Sequence, residues 1–185
     1  MSAQITVTQA INRAIDEAMA EDEGVILLGE DVAAKQGGGV FKISSGLTEK
    51  YGENRVRATP SSEQAIVGAC VGAALAGFRP IAEIMLMNFV TVAMDQIVNH
   101  AAKLRFMSGG QTHVPLVLRT TTGVGVGFGG QHSDMLEAWF AHVPGLKVVT
   151  PSNAADAQGL MRASMACNDP VIFIENILCY GLKSD

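Results

Sequence analysis

Apolar and polar positions along this chain switch repeatedly between two periods. Over residues 6 to 22, Val7, Ala10, Ile11, Ala14, Ile15, Ala18 and Met19 recur at helical spacing, which predicts an amphipathic helix capped by Thr6 or Thr8. The next segment, "GVILLGEDV", is a short continuous apolar run that ends in glycine and acids. That pattern predicts a strand buried on both faces, with a loop at its C-terminal end. A glycine-rich loop, "AKQGGGVFKISSGL", a short helix, "LTEKYG", and a short strand, "NRVRATP", follow. Residues 61 to 76 read as a helix with Pro60 placed for its first turn.

The same alternation continues to the end. "RPIAEIM" reads as a strand and "NFVTVAMDQIVNHAAKLRFM" as one long helix. "VPLVLRT" is a strand leading into the loop "TTGVGVGFGGQHS". After it come a helix, "DMLEAWFAHV", a strand, "LKVVTPS", a helix, "NAADAQGLMRASMAC", and a strand, "PVIFIEN". Strands that alternate with helices, and are themselves apolar runs, predict an α/β domain with a mostly parallel sheet and helices on both faces. Loops at the C-terminal ends of the strands are then the expected ligand surface.

Composition narrows the function. With 185 residues, 48% of them hydrophobic and 17% charged, the chain has the core of one large domain. A net charge of −5, with basic residues scattered singly, argues against a nucleic-acid surface. Three cysteines, Cys70, Cys167 and Cys179, form no CxxC pair and no metal-ligand spacing, the usage of a reducing intracellular setting. "MSAQITVTQA" lacks the pattern of a secretion signal, and the apolar run from Ala65 to Phe78 is shorter than the roughly 20 residues of a membrane span.

Four features carry candidate chemistry. Glu63 stands in the first turn of its predicted helix, where the backbone dipole favours an anion, while apolar neighbours favour the protonated form. A carboxyl held between these effects is suited to sharing a proton with a ligand; pattern alone nonetheless favours a capping glutamate with its head in water. Gly68, Gly72 and Ala76 follow at spacing four, a stripe that lets another backbone approach. Gly125, Gly127 and Gly130 match GxGxxG formally, but deep in the chain and with Thr150 where the ribose-binding acid belongs, so a loop delivering His132 is the better reading, although a lone loop histidine is more often a surface residue. Met85 and Phe89 are an aromatic and a thioether suited to a flat ring, or to simple core packing.

Taken in order, "LLGEDV", "TPSSEQAIVG", "GFRPIAEIMLMNF", "AMDQIVNHAAK", "MSGGQ", "VPLVLR", "GGQHSDMLEAWFAHVPGLKVVTPS" and "DPVIFIEN" resemble the N-terminal half of the β subunit of thiamine-diphosphate-dependent 2-oxo acid dehydrogenases (E1), pyruvate dehydrogenase E1 β among them. Acetoin dehydrogenase β subunits share the pattern. The resemblance implies a single transketolase-like pyrimidine-binding domain over residues 1–185, without the family's C-terminal domain. It implies that Glu63 hydrogen-bonds the pyrimidine ring of thiamine diphosphate and promotes the imino tautomer, whose exocyclic nitrogen takes the thiazolium C2 proton. A 2-oxo acid then loses carbon dioxide and its acyl group passes to a lipoyl acyltransferase (E2).

By the same resemblance Phe89 stacks on the pyrimidine, Met85 lines its pocket, Glu30 sits beside the cofactor and His132 exchanges a proton during catalysis. Leu116, Ser164, Cys167 and Asp169 match positions whose backbone carbonyls hold a monovalent cation, K+. The family's GDG motif is absent, so the diphosphate and Mg2+ fall to an α subunit in an α2β2 heterotetramer. Ser61 replaces a common Ile, and Gly130 a common Ala. A truncated, non-catalytic assembly module is the alternative. The implied setting is the cytoplasm, or the mitochondrial matrix after removal of a transit peptide. The resemblance covers pyruvate, branched-chain oxo acids and acetoin alike as substrates.

Overall fold

The computed structural model describes residues 4–184. In chain order the elements are β1 (Ile5–Thr6), α1 (Val7–Glu21), β2 (Val25–Glu30), α2 (Leu47–Tyr51), β3 (Val56–Thr59), α3 (Glu63–Leu75), β4 (Arg79–Ile84), α4 (Met87–Val90), α5 (Leu104–Met107), β5 (Val117–Thr122), α6 (Glu137–Ala141), β6 (Lys147–Val149), α7 (Ala154–Ala166), β7 (Val171–Asn176) and β8 (Lys183–Ser184). Six strands form one wholly parallel sheet in the order β3-β2-β4-β5-β7-β6. The expected mostly parallel α/β architecture is therefore present. β1 and β8 make a separate antiparallel pair; strands of two residues carry no period, and the sequence pattern did not predict them.

The central strands of the parallel sheet are buried on both faces because each alternates between two cores. Leu27, Ile81, Val117 and Phe173 face the layer of α1 and α7. Leu28, Ala82, Leu118, Ile172 and Ile174 face the layer of α3, the helical run after β4, and α6. α1 starts as the pattern predicts. Thr6 accepts from the Gln9 amide while the Gln9 side chain accepts from the Thr6 amide, a capping box that satisfies two otherwise free donors.

Three expectations need correction. α3 begins at Glu63 with Ser62 as its N-cap, so Pro60 lies outside the helix. The helix expected over 134–143 is confined to Glu137–Ala141, because Asp134 is tied instead to Asn88. The expected single helix over 88–107 is a succession of short turns: α4, a 3-10 turn at Thr91–Ala93, a π-helical stretch at Gln96–Ala101, and α5. There the Ala102 amide reaches back five residues to the Ile97 carbonyl at 2.9 Å. A Cβ at Gly68 would lie 3.4 Å from Gln96, so this glycine lets α3 pack close against the π turn. Gly72 and Ala76 of the same stripe are exposed, and a Cβ at Gly72 would meet open space.

Candidate functional site

The C-terminal ends of β2 to β5 share one edge of the sheet, and the predicted site residues gather there in two groups. In the first, Glu30 is the last residue of β2, beside Thr59 at the end of β3. Ser61 donates its hydroxyl to Glu30 at 2.7 Å. A serine in place of a branched apolar side chain thus holds the Glu30 carboxylate. Glu63, half-buried, opens α3 two residues further on. No side chain caps this helix, so its first-turn amides and Glu63 look outward. They border an open cavity of about 690 Å³ lined also by Ser61, Ser62, Gly68, Val92 and Gln96.

The second group joins β4 to β5. Met85 directly follows β4 and Phe89 lies in α4. His132 arrives on the glycine loop after β5, and its ring meets Phe89 edge to face, with centroids 5.1 Å apart and planes at 84°. Local ties hold the loop down. Asn88 donates to the Asp134 carboxylate at 2.6 Å and accepts from the Asp134 amide at 3.2 Å. The Leu136 amide donates to Met87 Sδ at 2.8 Å. The loop also depends on Gly123, where a Cβ would lie 1.9 Å from the His132 carbonyl oxygen. No helix follows the GxGxxG match directly; the next one, α6, starts at Glu137. The Rossmann geometry is therefore absent there.

Leu116, Ser164, Cys167 and Asp169 lie at the opposite, N-terminal edge of the sheet, around the starts of β5 and β7. Their carbonyls are partly engaged. Leu116 O accepts from the Val171 amide at 2.9 Å and Ser164 O from the Cys167 amide at 3.2 Å. The Arg79 guanidinium donates to Cys167 O at 3.2 Å and to Met165 O at 3.0 Å. The Asp169 carboxylate is held by Lys147 and Arg105, and the Lys147 hydrogen bond, opposed by burial, leaves its pKa below the ordinary value.

Sequence reasoning missed a charged cluster beneath the site. Glu83 in β4, Arg119 in β5 and Glu175 in β7 are almost fully buried, on adjacent strands and on the same face of the sheet. Arg119 forks onto Glu175 through Nε at 2.8 Å and Nη2 at 2.9 Å, and onto Glu83 through Nη1. Tyr180 donates to Glu175 at 2.6 Å and receives the Thr121 hydroxyl. Burial first, and then the like charge of Glu83, raises the Glu175 pKa against the pull of Arg119. Two carboxylates sharing one guanidinium leave a surplus negative charge, which adds to burial in favouring the protonated form of Glu175. Burial and Glu175 push the Tyr180 hydroxyl well above its ordinary value, so it is a fixed donor. The signal was present: "RPIAEIM", "VPLVLRT" and "PVIFIEN" each carry one interior charge within an apolar strand.

A parallel α/β sheet that carries aromatic, imidazole and carboxylate groups at the C-terminal ends of its strands is a doubly covered domain of the class that binds ligands at that edge. The family "Transketolase, pyrimidine binding domain" matches residues 3–180, and the chain belongs to it. The chain is 50% identical over 178 residues to pyruvate dehydrogenase E1 component subunit beta-1, mitochondrial, of Oryza sativa subsp. japonica, covering 96% of this chain and 47% of that protein. It is 49% identical over 179 residues to the mitochondrial E1 β subunit of Homo sapiens, covering 97% and 49%. The chain thus spans about half the length of these relatives. Among solved structures, a split-gene transketolase described as an inactive beta4 tetramer aligns with a TM-score of 0.74 at 19% identity, over 96% of this chain and 52% of that one. Transketolase from Leishmania mexicana aligns with a TM-score of 0.71 at 20% identity, over 94% and 25%. These structural likenesses bear on the fold alone.

Proposed function

We propose that this chain is the pyrimidine-binding domain of a 2-oxo acid dehydrogenase E1 β subunit, acting together with an α subunit that supplies the diphosphate and Mg2+ half of the site. The observation that carries the reading is the position of Glu63. It is a half-buried carboxylate at an uncapped helix start, open to a cavity, on the same sheet edge as the Phe89–His132 pair. Half-identity to proteins named pyruvate dehydrogenase E1 β subunits supports this over the acetoin dehydrogenase and assembly-module alternatives.

The residues present fit the pyrimidine half of thiamine diphosphate: one carboxylate aimed outward, one aromatic face and one imidazole. When bound, that cofactor supplies the electron sink that lets a 2-oxo acid lose carbon dioxide. Glu63 holds a proton at the pyrimidine ring nitrogen, in a site that subunit contact makes drier and so electrostatically stronger. Phe89 and Met85 orient the flat ring. Glu30, fixed by Ser61, adds a second carboxylate beside it. His132 moves a proton at the reacting substrate, held in place by its contact with Phe89.

The acyl group passes to a lipoyl acyltransferase partner, and pyruvate is the substrate the named relatives favour. A monovalent cation, K+, at Leu116, Ser164, Cys167 and Asp169 is a finer proposal. The Leu116 and Ser164 carbonyls each keep a second lone pair for it, whereas Arg79 already places a positive charge on Cys167 O. The mitochondrial relatives favour the matrix as its location, with the cytoplasm as the other setting.

The test is Glu63→Gln in a full-length β subunit assembled with its α subunit. Exchange of the cofactor C2 proton, followed by NMR, is expected to fall by about 10²-fold or more, the usual weight of a positioned acid–base group. Circular dichroism should stay unchanged. Near-normal exchange refutes the assignment.

A further inference from the structure

The Glu83–Arg119–Glu175 cluster has no assigned part in the chemistry, yet it lies on the strands that lead to Met85, Phe89 and the His132 loop. Glu83 lies two residues before Met85 and six before Phe89. A Cβ at Gly39, in the glycine-rich loop after β2, would stand 2.9 Å from Glu83 Oε1, so that loop is seated directly on the carboxylate. Arg119 lies four residues before Gly123, where an added Cβ would collide with the His132 carbonyl. Thr121, between them, is hydrogen-bonded to Tyr180. On the Tyr180 side, Leu178 supports the glycine loop, with its Cδ1 3.1 Å from where a Gly125 Cβ would be.

Buried ion clusters are poor sources of net stability, since replacing the whole set by apolar side chains is often neutral or better. The cluster's geometry offers something apolar packing does not. Arg119 makes a planar, bidentate fork to one neighbouring strand and a further bond to the other. Such bonds fix the relative height of β4, β5 and β7 at the edge where their loops depart. Greasy contacts tolerate sliding by fractions of an ångström, but a forked hydrogen bond does not.

We infer that Glu83, Arg119 and Glu175 are positioning residues of the cofactor site, which hold Phe89 and His132 in their edge-to-face pair by locking the C-terminal ends of three strands. The inference rests on the thiamine diphosphate reading for its purpose but not for its test. The competing account is that the local ties Asn88–Asp134 and Met87–Leu136 suffice to hold the pair.

The experiment uses the full chain without cofactor and reads the His132 ring protons by NMR. Phe89→Leu first establishes how far the Phe89 ring displaces those resonances. The triple substitution Glu83→Met, Arg119→Met, Glu175→Met then removes every charge together. The expected result is a cooperative melt near that of the parent, with the His132 resonances moved most of the way to their Phe89→Leu positions. A triple variant with native His132 resonances overturns the inference and leaves the local ties as the cause. If the triple variant does not fold, Arg119→Lys decides: it keeps the charge and loses the fork. Displaced His132 resonances in that folded variant support the inference, and native ones overturn it. Because no cofactor enters, failure of thiamine diphosphate to bind the parent α–β assembly sinks the functional reading and leaves the positioning result standing.

Discussion

Removing Arg119 alone should be far more damaging than removing the whole cluster. In Arg119→Met two nearly water-free carboxylates, Glu83 and Glu175, lose the cation that offsets them. Breaking one partner out of a buried ionic set costs about 3–5 kcal/mol. For a chain of 185 residues each kcal/mol lowers the melting temperature by roughly 2–4 °C, so the expected drop is roughly 6–20 °C. The pH dependence has a definite sign. Burial and Glu83 raise the Glu175 pKa in the folded state above its unfolded value of 4.5. A group raised in this way contributes fully below the unfolded value and loses its contribution as pH rises through the folded one. Without Arg119, the main influence lowering that pKa is gone, and the folded pKa climbs further. The penalty is therefore larger at about pH 7 than at about pH 5, where the folded variant takes up protons. Urea denaturation of parent and variant at both pH values, with linear extrapolation to water, measures it. A loss under about 1 kcal/mol at neutral pH, or an equal loss at both, refutes the buried-charge account.

Other perturbations test separate links. Thr6→Ala deletes the acceptor of the α1 capping box and should cost about 1 kcal/mol in a denaturant melt, without moving the Phe89–His132 resonances. Gly123→Ala places a methyl against the His132 carbonyl, a contact only the backbone can relieve; a loss of about 1–3 kcal/mol and displaced His132 resonances are expected, and an unperturbed spectrum would show that the loop is not seated there. Asp16 is desolvated, yet hydrogen bonds from Lys50 and Tyr51 outweigh that and lower its pKa below 3.8. Its contribution is present above 3.8 and fades as pH falls through the folded value, so Asp16→Asn should narrow its stability gap to the parent on acidification, as acid titration of both melts will show.

What the sequence made legible follows from which forces are local. Helical period and apolar runs report burial, so α1, α3, α7 and the strands of the parallel sheet were readable from spacing alone. The run after β4 was not, because Val90, Ala93, Ile97 and Ala101 keep a helical spacing while the hydrogen bonds slip to five residues. Such a slip depends on what packs opposite, here Gly68 of α3. Glu63 shows the same limit from the other side. Its local pattern favours a capping residue, and only an ordered set of distant motifs, read as a resemblance, raised it to a site residue. The buried triad lies between these cases. A single charge inside an apolar strand looks like an edge or an error; three of them, on strands that parallel pairing makes neighbours, sum to a network. The sheet order that brings β4, β5 and β7 together is not written in any one of those strands. Long-range pairing therefore decides both the hidden cluster and the His132 loop that departs above it, and the two are coupled through the same three strands.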